Sequence, residues 1–373
     1  MLAEAGACAD GVLLGGNFHG RSVAMKKLLK AGEKVVGVDI GGTKMMATVY
    51  DRDFNVLGAC KKKSKGKSGV PSEKRISEVI RAALEQAGNP KIHGIGVGSP
   101  GPLDPATGVI IDTPNLGWKN FPLAQTLQKE FGVPVVVDND VNVGTFGEWC
   151  FGDISGCRDV VGIFPGTGIG GGIIVDGKMV HGFSGAAGEV GHMTVMLDGP
   201  HCGCGKRGCL EALASRVAIA KEIAALAARE DAPYILENCG TDLSKIRSGV
   251  IAKAVTEGEK MVEDVVRRAA YYIGVAAGNL INILSPEAVV FGGGLVEAMP
   301  ELFMEEINRG VADHAMPFLR KKVRIQTATL GDNAVVMGAA QMIAARLRAK
   351  KAPAKPALPK KLPRAAKKRN KTS

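Results

Sequence analysis

The protein has 373 residues, 46% of them hydrophobic and 23% charged. That is enough chain for two domains at ~100–200 residues each, with a core that needs no disulfide staples. No apolar run reaches the ~20 residues that span a bilayer, which excludes a transmembrane protein, and a 5% aromatic content with two Trp argues against a module built on ring stacking. The net charge of +11 is a property of one end: Arg346 to Ser373 holds twelve Lys/Arg and no Asp/Glu, leaving the rest at −1. The basic balance is therefore no sign that the folded body binds nucleic acid.

Residues 1–33 are rich in Ala and Gly and lack a sustained period, so they read as a poorly ordered extension. They have no basic n-region and carry Glu4 and Asp10, unlike a signal peptide. Met25, followed by Lys26 and Lys27, is an alternative start. The eight cysteines (8, 60, 150, 157, 202, 204, 209 and 239) are not spaced as a disulfide framework. A reducing cytoplasm is the expected setting.

The first clear element is Lys34–Ile40, a β-branched run that reads as a buried strand. It breaks at Gly41 and Gly42 and resumes as the alternating strand MMATVY, forming a hairpin with a glycine turn. Lys61–Lys67 is expected to be a solvated loop. Ser72–Gly88 has helical spacing, and IHGIGVG and VPVVVDND are further strands. DVVGIFPG and GGIIVDGKMV flank a glycine-rich turn. Glu259–Leu284 carries a long helical stripe of Val262, Val265, Val266, Ala269, Ile273, Ala276, Leu280 and Ile283. It leads into AVVFGGG, and a last helix is expected over Asn333–Ala349. The Ala/Pro/Lys stretch 350–373 cannot build a core and reads as a disordered tail.

An apolar strand runs into a glycine turn three times: DIGGTK at 39–44, PGTGIGGG at 165–172 and FGGGL at 291–295. None matches the dinucleotide fingerprint or the P-loop. Such turns leave backbone N–H groups free to face an anion, although a lone Gly-Gly turn is usually an ordinary hairpin. Asp138, Asn139 and Asp140 follow an apolar strand, where polar groups suit a cleft, and a carboxylate there can take a proton from a hydroxyl. The plainer role for Asp138 and Asn139 is to turn the chain or cap the helix that VNVGTFGEW begins.

The most specific local signal is Cys202-Gly-Cys204-Gly-Lys-Arg-Gly-Cys209. Three thiols so spaced can close on one zinc ion, with a fourth ligand from nearby. His192 and His201 are both available; His201 adjoins Cys202, which hinders both side chains from pointing inward, so His192 is preferred. A zinc loop over 192–211 would gather Glu189 and Glu211 near His192, acceptors that suit a polyol, and Asn115 in TPNLGW is a further candidate amide.

DIGGTK, GTGIGGG, VDNDVN, and GEVGHMTV followed by CGCGKRGCLE together resemble the ROK family (repressors, open reading frames and sugar kinases) from about Lys34 to Ala349. The resemblance implies an α/β, two-lobed actin/hexokinase/Hsp70-like (ribonuclease H-like) fold with a cleft between lobes. It implies a small lobe over 34–141, with the helix 333–349 packing back on it, and a large lobe over 142–332. By the same resemblance, Asp140 is the general base, and Asn115, Asn139, Asp140, Glu189, His192 and Glu211 hold a sugar. His192, Cys202, Cys204 and Cys209 bind structural zinc. Gly41, Gly42, Thr43, Lys44, Gly166, Thr167 and Gly168 approach the phosphates of ATP and its Mg²⁺, and Gly292, Gly293 and Gly294 the adenosine. The implied activity is transfer of phosphate from ATP to a hexose, with glucose ahead of fructose, mannose, N-acetylglucosamine and N-acetylmannosamine, in a homodimer or homotetramer. Asp138 departs from the family's frequent Glu. The family's repressors carry a helix-turn-helix ahead of the kinase-like body, and the 33 residues before the first strand show no two-helix pattern. The alternative of another class is a sugar-sensing regulator without its own helix-turn-helix. The basic tail is outside the family pattern; non-specific contact with nucleic acid or polyphosphate is its sharper reading, a solvated polycation the plainer one.

Overall fold

The apolar runs of the sequence assemble into two separate five-stranded sheets, seen in a computed structural model that describes residues 28–64, 73–113 and 116–349. The extension before residue 28 and its Met25, the tail 350–373 and Asn115 lie outside the described residues.

The first sheet begins with β1 (Val35–Ile40), whose VVGVDI is buried at nearly every position. Its antiparallel partner β2 (Lys44–Tyr50) follows a turn closed by the Gly41 N–H, which donates to the Lys44 carbonyl at 2.9 Å. A third strand, β3 (Val56–Lys63), pairs with β2 and forms the sheet edge. This corrects the expected solvated loop: Lys61, Lys62 and Lys63 belong to a strand, and an edge is where lysines are tolerated and useful. Lys65, Gly66 and Lys67 lie outside the described residues.

Helix α1 (Glu73–Gln86) packs on β2 and β3, and the parallel strand β4 (Gly94–Ser99) follows. A small separate sheet of β5 (Leu103–Asp104), β6 (Val109–Thr113) and β7 (Trp118–Phe121) precedes α2 (Leu123–Phe131). Then β8 (Val135–Asn139) joins β4 in parallel, giving the order β3-β2-β1-β4-β8. In parallel register Asp39, Gly98 and Asp138 stand abreast, so the carboxyl ends of three strands converge.

Helix α3 (Asp140–Phe151) is buried at every residue from Asn142 to Cys150. A helix apolar all round must be enclosed, and α3 is: it touches the first sheet, the second sheet and the last helix. The second sheet contains β9 (Val160–Pro165), β10 (Ile169–Val175) and β11 (Lys178–Met179), then β12 (Ala288–Phe291) and β13 (Arg324–Thr327), in the order β11-β10-β9-β12-β13. Its helices are α4 (Leu210–Ala214), α5 (Arg216–Ala228), α6 (Pro233–Cys239), α7 (Ser248–Thr256), α8 (Lys260–Leu284), α9 (Gly294–Ala298), α10 (Pro300–His314) and α11 (Pro317–Arg320). Along α8 the expected stripe is buried from Val262 to Leu280, but Ile283 is 73% exposed. The neighbouring α10 ends level with Gly278, so Ile283 on the last turn lies past its packing partner.

The last helix, α12 (Ala334–Arg348), lies across β1 and β4 and against α3. The approach requires small residues: a Cβ on Gly96 of β4 would stand 1.9 Å from the Ala339 carbonyl oxygen. Among the described residues no helix is long and apolar enough to cross a membrane.

Candidate active site

Where β8 ends, three polar residues divide the work. Asn139 is the N-cap of α3; its side-chain oxygen accepts from the N–H groups of Val141 (2.9 Å) and Asn142 (3.2 Å). Asp138 is buried, with one oxygen accepting from the Asn139 N–H and the Asn142 amide and the other 2.5 Å from His181 Nε2. Asp140, the first residue of α3, accepts from the Val141 N–H at 3.0 Å. Burial pushes it up to about 6, against the pull of hydrogen bonds from Val141 and Asn139, and the negative charge of Glu189 adds to the rise. Asp39, at the end of β1, is pushed up to about 7, by burial first and then by the charge of Asp140. Two raised carboxyls, one of them lifted partly by the charge of the other, mark a place that favours a cation or a bound proton.

The cysteine loop closes as expected. His192, Cys202, Cys204 and Cys209 bring one ligand atom each to within 4.8 Å of one another. His192 Nδ1 is 3.6 Å from the Cys202 sulfur, and the Cys204 and Cys209 sulfurs are 3.7 Å apart. A tetrahedral zinc with bonds of ~2.0–2.3 Å sets its ligands ~3.5–3.8 Å apart, so these donors already stand at coordination edges. His201 instead pairs with Arg207 across the loop. The other ring nitrogen of His192 points toward Glu189, at 3.9 Å from its carboxylate.

Glu211, on the first turn of α4, ties this loop to the glycine turn between β9 and β10. Its Oε2 accepts from the Ile169 N–H at 3.0 Å, and its Oε1 is 3.9 Å from the Cys202 sulfur. A Cβ on Gly168 would occupy that place, only 2.3 Å from Glu211 Oε2. On the other side of the turn, Arg216 donates to the Thr167 hydroxyl at 3.1 Å, and its own N–H to the Gly166 carbonyl at 2.9 Å. Gly292 and Gly293 pass beside the end of β9, where a Cβ on Gly293 would be 2.8 Å from the Pro165 carbonyl oxygen, whereas one on Gly294 would meet only the Ser248 hydroxyl at 3.5 Å. Gly170 lies against the start of α3, where its Cβ would be 2.4 Å from Val141, so β10 and the Asp140 segment adjoin.

The turn after β1 is bounded by charge. Ser64 donates to the Gly41 carbonyl at 2.5 Å, and Lys44 forms an ion pair with Asp332 at 2.9 Å. Asp332 belongs to a 3₁₀ turn, Gly331–Asn333, that leads into α12. The preceding segment is fastened to α3 by buried Glu148, which accepts from the N–H groups of Thr329 and Leu330.

The structure thus brings His192 together with the three cysteines, Glu211 with Gly168, and the field of Glu189 to Asp140. Asp39, His181, Glu148 and Asp332 were not singled out as site residues by the sequence, and Asp138 was weighed there against a plain turn or capping role. Asp39 had a visible signal, a carboxylate at the end of an apolar strand two residues before the glycine turn. His181 and Asp332 had none, because their partners lie in other elements.

The ROK family profile matches residues 35–346. The glucokinase of Halalkalibacterium halodurans is 34% identical over 323 residues, covering 83% of this chain and 94% of that protein. The xylose repressor of Caldicellulosiruptor bescii is 31% identical over 333 residues, covering 87% of this chain and 81% of the repressor. Among solved structures, a ROK family glucokinase from Streptomyces griseus in complex with glucose and AMPPNP superposes with a TM-score of 0.71 at 31% identity, covering 83% of this chain and 98% of that one.

Proposed function

Since the chain belongs to the ROK family and shares the actin/hexokinase-like α/β fold of its kinases, we propose that it is an ATP-dependent hexose kinase with glucose as its principal acceptor. The observation that carries this reading is Asp140. It is a carboxylate at a helix start, within the field of Glu189 and acting on Asp39, raised to about 6 yet ionised at neutral pH. A base so poised accepts a hydroxyl proton readily.

Phosphoryl transfer asks the protein mainly for alignment and charge stabilisation. Asp140 orients the attacking hydroxyl and takes its proton as the bond to phosphorus forms. Glu189, the second ring nitrogen of His192, Glu211 and the amide group of Asn139 offer the sugar hydroxyls partners at several angles; Asn115 is proposed to join them. The backbone at Gly41–Thr43 and Gly166–Gly168 lies along the phosphates, with Lys44 beside the first turn. Asp39, at the end of β1 beside the first glycine turn, would be the carboxylate to hold the Mg²⁺ that accompanies ATP. Gly292–Gly294 leave room for the adenosine. His192, Cys202, Cys204 and Cys209 would hold a zinc ion, which would fix the loop that presents Glu189 and Glu211. Two lobes, divided near residue 141, close on the sugar and keep water from the phosphoryl group.

A coupled ATP-to-ADP assay with Mg²⁺ over glucose, mannose, fructose, glucosamine, N-acetylglucosamine and N-acetylmannosamine tests this. Turnover with glucose ahead of the others is the expected result. Preference for another sugar keeps the mechanism and corrects the acceptor. The likeness to a xylose repressor favours a second reading, a sugar-responsive regulator; sugar binding by zinc-loaded protein with no turnover on any sugar would select it.

A further inference from the structure

Strand β3 brings a second lysine to the turn after β1. Lys61 stands in register with Met46, two residues along β2 from Lys44. Alternate residues of a strand share a face and paired residues face alike, so Lys44 and Lys61 project from the same side of the ribbon. Their ammonium groups meet at one carboxylate. Lys44 Nζ is 2.9 and 3.1 Å from the two oxygens of Asp332, and Lys61 Nζ is 2.6 Å from Oδ2.

A structural staple is a weak explanation for this cluster. All three side chains are about half exposed, at 47%, 46% and 56% for Lys44, Lys61 and Asp332. Ion pairs so wet add little to stability. Both lysines also act on the carboxyl of Asp39, at the end of β1. Asp332 itself is anchored, because Glu148 of α3 holds the N–H groups of Thr329 and Leu330 just before it.

We propose that Lys61 is a second phosphate-binding cation of the nucleotide site, and that Asp332 stands in for a phosphate oxygen until a nucleotide arrives. The proposal rests on the kinase reading above. A triphosphate presents adjacent anionic oxygens, which two ammonium groups within reach of a single carboxylate can bridge. Lysine serves as a point charge there. Asp332 then competes with the nucleotide for both lysines and sets how tightly it is held.

The test compares Lys61→Met, Lys61→Arg and Asp332→Asn in the full chain, by steady-state kinetics in ATP at saturating sugar and by calorimetric titration with Mg²⁺·AMPPNP. Lys61→Met is expected to raise the KM for ATP and the Kd for the analogue about tenfold, leaving the sugar KM and the melting temperature unchanged. Lys61→Arg should restore most of the affinity, and Asp332→Asn should shift it the opposite way, to tighter binding. Unchanged nucleotide affinity in Lys61→Met overturns the proposal. So does loss of affinity in both Lys61→Met and Asp332→Asn with a matching fall in melting temperature, which would make the cluster a staple. A wild-type protein that neither binds AMPPNP nor turns over would overturn the kinase reading, and this one with it; wild-type binding with an unaltered Lys61→Met overturns this one alone.

Discussion

Replacing Asp140 by Asn separates what the site needs from what the fold needs. The Asn side chain keeps an oxygen that can accept from the Val141 N–H, as Asp140 does at 3.0 Å, and it removes the charge. In the folded protein burial raises this carboxyl from 3.8 to about 6. An acid that is harder to ionise folded than unfolded costs stability wherever it is ionised. That cost is absent well below 3.8, grows as pH rises from about 4 to about 6, and is constant above. At ~1.4 kcal/mol per pH unit the displacement is worth ~3 kcal/mol at pH 8, trimmed to ~1–3 kcal/mol by water that reaches the half-buried group. The variant also relieves Asp39, which the charge of Asp140 helps hold near 7.

Asp140→Asn should therefore lose nearly all turnover and yet melt roughly 2–6 °C higher than wild type at pH 8. By pH 5 that gap should shrink to about half. Differential scanning calorimetry of both proteins, free of nucleotide, at the two pH values measures this. A variant that melts at or below wild type at pH 8, or a gap of the same size at both, refutes the burial reasoning. Turnover within tenfold of wild type refutes the role as base. In the wild type, kcat/KM should fall as pH drops below about 6, because the base is then protonated.

Cys204→Ser should lose both bound zinc, measured by elemental analysis, and melting temperature; a folded, active, metal-free variant would refute the zinc loop. Gly168→Ala places a methyl 2.3 Å from Glu211 Oε2. It should lower kcat/KM by about tenfold or more while zinc is retained, and wild-type kinetics would dissolve the link between that turn and Glu211. Gly96→Ala puts a methyl 1.9 Å from the Ala339 carbonyl oxygen and should cost ~3 kcal/mol in urea unfolding; an unmoved midpoint counts against the close seat of α12.

What could be read from the sequence was local. β1, β2, β4, β8, α8 and α12 each carry a hydrophobic pattern complete within one element, and each forms within a few residues of its expected bounds. The His/Cys cluster was legible because all four of its residues fall between His192 and Cys209 with glycines among them. β3 was hidden because an edge strand ending in three lysines looks like a solvated run. β5, β6 and β7 are too short to show a period, and the helices between Arg216 and Thr256 were not recognised as separate elements. The contacts of His181 with Asp138 and of Lys61 with Asp332 span 43 and 271 residues of sequence. No periodicity connects groups so far apart; only the topology does.

The seat of α12 also bears on the order in which the molecule can be made. Its floor, β1 and β4 with Gly37 and Gly96, leaves the ribosome early, while Ala334–Arg348 follow on the order of 200 residues later. At ~5–20 residues per second the nascent chain holds that strip uncovered for roughly 10–50 s. The first sheet cannot reach its final packing during that interval, so its early strands are a natural client surface for chaperones. Slowing translation downstream of β4 should lower the yield of soluble protein more than slowing it upstream.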